Sequence, residues 1–261
     1  MQSIKQLTML TKRIVRQNLT NADTLITVIA MPVFMLLFFV YVFGGNIATV
    51  SGGGMSEGDY LTYALPGFLL LTMAMGSAYT SLRINTDQTT GFLSRLHSLP
   101  IRRWVILGSH VLASIIFMLL AEVAVFLVGM VMGYRVDAPL SAVLAFWGIS
   151  LLFGLAITLL AVPFSLKADN YASAGGFSYL LLMLLFVSSA LMPTAGMAKP
   201  VRIFANHQPM TPIVNVARGL LDQSVQASTH TTLIALIWLV AGIIVFGGLS
   251  YVVYAQVFLK K

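Results

Sequence analysis

The sequence predicts an all-α integral membrane protein with six transmembrane helices and with cytoplasmic N- and C-termini. Three observations lead to this fold class: few charged residues, six long apolar runs, and basic residues concentrated on one side of those runs. Charged residues make up 9% and hydrophobic residues 58% of the 261-residue chain, whereas a soluble domain has about 25% charged residues. Such a chain cannot cover its apolar surface in water, so we expect lipid to surround much of it.

The apolar runs are long and continuous. A helix needs about 20 residues to cross the ~30 Å hydrocarbon core, and continuous rather than alternating apolar residues favour helices over a β-barrel. We place the six spans at about 24–43, 60–82, 104–133, 140–166, 171–192 and 232–257. Together they predict a single transmembrane domain over residues 1–261.

The basic residues predict the orientation of these spans. Lys and Arg residues near span ends are retained on the cytoplasmic side. With a cytoplasmic N-terminus, the inner set is Lys5, Lys12, Arg13, Arg16, Arg83, Arg95, Arg102, Arg103, Lys167, Lys260 and Lys261, and the outer set is Arg135, Lys199, Arg202 and Arg218. The larger inner set places both termini inside.

The positive charge predicts contact with membrane lipids rather than with nucleic acid. The formal net charge of +7 collects on the inner side, where it attracts anionic headgroups. We therefore expect no nucleic-acid partner. The candidate anchors at the membrane interface are Lys12, Arg13, Arg16, Arg102, Arg103 and Trp104.

Residues 3–19 predict an amphipathic helix on the inner membrane surface. Apolar residues such as Ile4, Leu7 and Ile14 fall on one side of a helical wheel, and basic residues fall on the other. The alternative is a polar, frayed leader without a fixed position.

The cytoplasmic loop 83–103 predicts a short helix. Thr89 or Thr90 would cap it, and Pro100 would end it. Its apolar side, spaced at i, i+4 and i+7, would be Phe92, Leu96 and Leu99. A soluble partner could grip such a helix; the alternative is a helix that only anchors the loop to the membrane.

Glu122 lies near the middle of the third apolar run. An ionisable residue at that depth costs about 3 kcal/mol and is therefore a functional candidate. Its role could be gating or the pairing of two helices, and the sequence leaves both open.

Residues 193–231 form the longest outer segment and are not wholly polar. Two short apolar-faced helices are predicted, separated by 206–210, and the second opens at Thr211-Pro212. This pattern indicates re-entrant helices that dip into the outer leaflet. The alternative is a surface loop with incidental helices.

No catalytic or metal-binding constellation is apparent in the sequence. There are no cysteines, and the four histidines lack ligand spacing. There is also no Gly-Lys dipeptide and therefore no phosphate-binding P-loop. We expect a chain that is not an enzyme and has no cofactor of its own; any ATP would be bound by another chain.

Three segments together resemble a known family. They are Tyr63-Ala-Leu-Pro-Gly-Phe-Leu69, Gly91-Phe-Leu-Ser-Arg-Leu-His-Ser-Leu-Pro-Ile-Arg-Arg-Trp104, and Ser188-Ser-Ala-Leu-Met-Pro193 with Asn206-His-Gln-Pro-Met-Thr-Pro212 and Ala217-Arg-Gly-Leu220. In these segments the chain resembles the membrane subunit of ABC type-2 exporters, a family that includes daunorubicin-resistance-like permeases. The resemblance extends over essentially the whole chain.

The resemblance implies a complex of two permease subunits, identical or homologous, with two ATP-binding subunits that hold ATP and magnesium. Residues 86–100 would be the coupling helix, 3–19 a connecting helix, and 193–231 an outer re-entrant pair. The residues expected to contact the ATP-binding subunit are Phe92, Leu93, Arg95, Leu96 and Leu99.

The resemblance also implies export of an amphipathic compound, such as a drug, lipid-like molecule, peptide or glycan, across a bacterial cytoplasmic membrane. The candidate path residues, in the second and fifth spans, are Met73, Met75, Tyr79, Phe177 and Met183. Two other functions stay open: an ion-coupled secondary carrier, and a non-transporting membrane assembly protein. A carrier would typically show repeated halves with broken helices, and the sequence shows no such repeat.

Overall fold

The computed structural model describes residues 2–44, 57–222, 224–225 and 227–258, and the regular elements in these residues are all helical. The terminal Lys260 and Lys261 lie outside the described residues. The helices are α1 (Gln2–Thr20), α2 (Ala22–Val42), α3 (Glu57–Thr89), α4 (Phe92–His97), α5 (Arg103–Val131), α6 (Leu140–Lys167), α7 (Tyr171–Phe186), α8 (Lys199–His207), α9 (Met210–Leu221) and α10 (Thr229–Phe258).

Within the described part of the chain, five helices are long and apolar enough to cross a membrane: α2, α3, α5, α6 and α10. The prediction of an all-helical membrane protein is confirmed, and the bounds of α5, α6 and α10 lie within three residues of the predicted ones. Continuous apolar runs define these helices, so their ends are visible in the sequence.

The predicted span 171–192 is shorter than expected. Its helix, α7, has 16 residues and is therefore about 24 Å long, less than the ~30 Å core. The chain leaves the helix at Val187 and forms turns up to Pro193. Side chains from α3 and α9 bind the carbonyl groups of these turns, as described below, so the backbone does not need to continue as a helix.

α3 is the centre of the bundle, with α5, α6 and α7 packed around it. From Ala64 to Ala74 the helix is buried on all sides, including Leu65, Phe68, Leu69, Leu70 and Leu71. This is the burial expected of a helical segment that is apolar almost all round. At Gly67 the helix lies so close to the turn after α7 that a Cβ atom would clash with the backbone of Ala190.

The first part of the predicted loop 83–103 is helical, because α3 continues to Thr89. The hydroxyl groups of Thr86, Thr89 and Thr90 donate to carbonyl groups four residues earlier and do not cap a new helix. A break follows at Gly91, whose φ of +74° is left-handed and favours glycine. The helix predicted within 86–100 is therefore reduced to α4.

The two helices predicted in 193–231 are present as α8 and α9. α8 is mostly exposed, whereas α9 is almost wholly buried and packs against α3, α6 and α10. α9 begins at Met210, one residue before the predicted start. α1 is also present, one residue longer at each end than predicted, and packs along α5.

Candidate functional site

The first candidate site is a group of side chains where α1, α3, α4, α5 and α10 meet, which we call the inner network. Its members are Arg13, Asp87, Phe92, His97, His110 and Tyr254. Arg13 donates two hydrogen bonds to Asp87, from Nη1 to Oδ2 (3.1 Å) and from Nη2 to Oδ1 (3.2 Å). Nε2 of His110 lies 3.6 Å from Oδ2 of the same carboxylate. The buried Asp87 therefore ties α1 and α5 to the end of α3.

Arg13 also covers Phe92 in α4, with its guanidinium carbon 3.8 Å from the ring centre. In this structure its guanidinium contacts Asp87 and Phe92, and the role of Arg13 as a headgroup anchor stays a prediction. Lys12 and Arg16, on the same helix, are exposed.

His97 fixes the other end of α4. Its Nδ1 lies 2.6 Å from the carbonyl oxygen of Leu93, and its Nε2 lies 2.7 Å from the hydroxyl oxygen of Tyr254 in α10. The imidazole ring also stacks on Phe258 at 4.3 Å. The short helix is thus attached to α1 at one end and to α10 at the other.

The five residues expected to contact a partner divide between two sides of α4. Leu93 and Leu96 are buried in an apolar cluster with Ile84, Ile106 and Val253. Phe92 is half-buried under Arg13, whereas Arg95 and Leu99 are exposed. The exposed surface of α4 and of the turn that follows it is therefore formed by Ser94, Arg95, Ser98 and Leu99. Arg102, Arg103 and Trp104, which follow it, are exposed as well.

The second candidate site lies at the opposite end of α3 and is centred on Arg218 of α9; we call it the outer network. Its members are Tyr60, Tyr63, Ser189, Gln208, Asn215 and Arg218. The buried Arg218 donates from Nε to the Tyr63 carbonyl oxygen (2.9 Å) and from Nη2 to the Ser189 carbonyl oxygen (2.6 Å). It also donates from Nη1 to Oδ1 of Asn215 (3.0 Å), and its guanidinium carbon lies 3.7 Å from the Tyr63 ring centre.

Other members of the outer network donate hydrogen bonds to carbonyl groups at the end of α7 and in the turns that follow it. The Tyr63 and Tyr60 hydroxyl groups donate to the carbonyl oxygens of Ser189 and Leu191, each at 2.9 Å. Nε2 of Gln208 donates to the carbonyl oxygen of Leu184 at 2.7 Å. Unpaired carbonyl groups are costly where water is excluded. The network therefore explains why three distant stretches of sequence meet here.

A neighbouring contact holds the C-terminal end of α9. The hydroxyl group of Tyr134, in the turn after α5, donates to the carbonyl oxygen of Leu221 at 3.0 Å. Burial, with a smaller contribution from Asp222, raises the pKa of Tyr134 to about 12. The hydroxyl group consequently keeps its proton and remains a donor at neutral pH.

Glu122 connects two helices. Its side chain is fully buried between α5 and α6, and Oε1 accepts a hydrogen bond from the Ser150 hydroxyl group at 2.8 Å. Among the described residues, its Oε2 has no partner. Of the two predicted roles, this position favours the pairing of helices.

The candidate path residues do not form one group. Met75 and Tyr79 line a cleft of about 250 Å³ between α2, α3 and α7. Met73 and Phe177 are buried in the protein core, whereas Met183 is exposed on the outer surface of α7. Tyr171 and Tyr179, which sequence reasoning missed, line the cleft instead.

Sequence reasoning also missed Asp87 and Arg218 as network centres. No local sequence pattern indicated the role of Asp87, because its partner Arg13 is 74 residues away. Arg218 did give one: it is an ionisable residue in a segment expected to dip into the membrane, where such residues are usually functional.

Comparison with known proteins agrees with the architecture. Residues 5–221 match the family model described as ABC-2 type transporter. Over 198 residues the chain is 26% identical to the daunorubicin resistance ABC transporter permease protein DrrB1 of Streptomyces coeruleorubidus, covering 76% of this chain and 68% of that protein. Over 216 residues it is 24% identical to the probable doxorubicin resistance ABC transporter permease protein DrrC of Mycobacterium tuberculosis, covering 83% of this chain and 76% of that protein.

The family match covers well over half of the chain and includes all three segments that carried the resemblance, which is thereby confirmed. The membrane domain of this family is the non-catalytic, multi-pass subunit of a transporter whose ATP-binding subunit is a separate partner. The chain therefore belongs to the ABC-2 type transporter family, as a permease subunit related to drug-resistance exporters.

Proposed function

We propose that this permease exports an amphipathic compound, driven by an ATP-binding subunit that docks on the exposed side of α4. The observation that carries the proposal is the attachment of α4. Leu93 and Leu96 fix its inner side in the protein, while Arg95 and Leu99 remain open on the other side. A helix held in this way transmits a displacement to its neighbours.

α3 is the element that would carry the displacement across the bilayer. Its 33 residues make it about 50 Å long, and it contributes Asp87 to the inner network and Tyr60 and Tyr63 to the outer network. ATP-driven association of two partner subunits would favour one of two permease conformations. The rigid central helix would then couple movement of α4 to the turns after α7.

The cleft between α2, α3 and α7 is the proposed cargo path. It is lined by Met75, Tyr79 and Tyr171, which combine adaptable apolar surface with hydroxyl groups. A second permease copy, identical or homologous, would close the open side of this cleft. Such a lining suits an amphipathic cargo.

The proposed orientation places α4 and both termini in the cytoplasm of a bacterial cell. It is supported by contacts that bring the two ends of the chain to the same side: Arg13 binds Asp87 near α4, and Tyr254 binds His97 within α4. ATP and magnesium would be held by the partner, and the exposed Lys12, Arg16 and Arg102 would face anionic headgroups.

The double substitution Arg95→Glu with Leu99→Asp tests the docking surface. Both side chains are exposed, so the fold should be retained, while reversed charge and lost apolar contact should abolish co-purification of the ATP-binding subunit. Arg16→Glu, which reverses one exposed charge on α1 as Arg95→Glu does on α4, is the charge-reversal control and should leave the complex intact. A stoichiometric complex with the double variant would contradict the assignment.

A further inference from the structure

A groove separates the first half of α5 from the last half of α10; we call it the lipid groove. Its volume is about 610 Å³. Two glycines, Gly108 and Gly247, are among its lining residues, and its walls are mainly aliphatic and aromatic. Arg103 is the charged residue among its lining residues and lies at one end, together with Trp104. The groove is therefore apolar along its length and cationic at its mouth.

The length of the groove matches one leaflet of a bilayer. Its lining on α5 extends from Arg103 to Ile115, which corresponds to about 18 Å of helix at 1.5 Å per residue. Half of the ~30 Å hydrocarbon core is about 15 Å. An acyl chain of one leaflet would therefore fill the groove from end to end.

The mouth of the groove is suited to an anionic headgroup. Trp104 is 52% exposed, and exposed tryptophan residues mark the depth of the headgroups. Arg103 and its neighbour Arg102 are exposed at that level. Among the described residues, neither arginine forms an ion pair with an acidic side chain. A phosphate group would supply the missing anion, and guanidinium groups bind phosphate well.

We propose that the lipid groove binds one anionic phospholipid from the leaflet that faces α4. Its phosphate would lie at Arg103, and one acyl chain would lie between Gly108 and Gly247. The site adjoins the inner network, since Tyr254 lines the groove and its hydroxyl group contacts His97 in α4. The bound lipid thus lies against the residue that fixes α4 to α10.

Native mass spectrometry of the purified full-length chain tests this proposal. The chain is reconstituted in nanodiscs with equal amounts of phosphatidylglycerol and phosphatidylcholine that carry the same acyl chains, and the retained lipids are counted after release. We expect the wild-type chain to retain phosphatidylglycerol in preference to phosphatidylcholine. Arg103→Gln should weaken this retention about fivefold, the effect of one basic residue near a membrane surface.

Two adjacent glycines provide a matched pair of variants for the acyl chain. A Cβ atom at Gly247 would meet Leu159 at an ordinary contact distance of 3.7 Å, so a side chain can begin there without a clash, and Gly247→Leu should fill the groove and prevent retention of lipid. In the part of the chain that the structure describes, no residue outside the local helix turn lies within 4 Å of a Cβ atom at Gly248, so Gly248→Leu should retain lipid as the wild-type chain does. Equal retention of both lipids by the wild-type chain, or equal behaviour of the two leucine variants, would overturn the proposal.

Discussion

Replacement of Arg218 by alanine should lower the free energy of unfolding by about 3 kcal/mol and abolish transport. The guanidinium group makes three hydrogen bonds and covers the Tyr63 ring. Without it, the buried acceptors on Tyr63 and Ser189 lose a charged donor where water cannot replace it. Thermal unfolding in detergent, together with transport in proteoliposomes, measures the two effects.

Two variants distinguish the loss of the outer network from the general effect of removing a positive charge. Arg218→Lys keeps the charge but not the planar, multiple donors, so it should recover only part of the stability. Arg202→Ala removes an exposed arginine from the neighbouring helix α8 and should change stability by less than about 0.5 kcal/mol. Equal stability of Arg218→Ala and Arg202→Ala would show that the outer network does not hold α9 in place.

The second large effect is expected at the inner network. Arg13→Met should destabilise the protein by about 3 kcal/mol, because it leaves the buried Asp87 carboxylate beside His110 without its cationic partner. It should also free Phe92 and loosen α4, so that ATP hydrolysis by the partner no longer drives transport. The ratio of ATP hydrolysed to cargo moved measures this loss of coupling.

The matched control is Lys12→Met, which removes the exposed neighbouring charge on α1. The double variant Arg13→Met with Asp87→Leu removes both partners of the ion pair and should recover most of the lost stability, since an apolar pair of similar size replaces an ion pair at little cost. If the Arg13→Met and Lys12→Met variants have the same free energy of unfolding, the Arg13–Asp87 pair does not tie α1 to α3.

The sequence was sufficient for the spanning helices that consist of continuous apolar residues. It was not sufficient to predict where a helix ends when contacts between side chains that are distant in the sequence determine the backbone conformation. α3 continues through the polar residues 83–89 because Asp87 binds Arg13 and because Asn85 donates to the carbonyl oxygen of Ala168 at 2.9 Å. α7 ends early because Gln208 and Arg218 bind its terminal carbonyl groups and the turns that follow.

The same distinction applies to the candidate sites. The position of the short helix α4 followed from its local apolar spacing and from the family resemblance. The sequence did not show which side of α4 is exposed, since Leu93 and Leu96 are buried by residues of α3, α5, α6 and α10. The role of Arg13 could not be predicted either, because helical periodicity describes one helix and not its partner.

Labelling of single cysteines from each side of the membrane tests the central claim most directly. The chain contains no cysteine, so Ser94→Cys on the exposed side of α4 and Lys199→Cys in α8 each introduce a unique thiol. We predict that an impermeant maleimide labels Lys199→Cys only in right-side-out vesicles. It should label Ser94→Cys only in inside-out vesicles, and there only until the ATP-binding subunit is added. Labelling of both positions from the same side, or no protection of Ser94→Cys by the partner, would contradict the account.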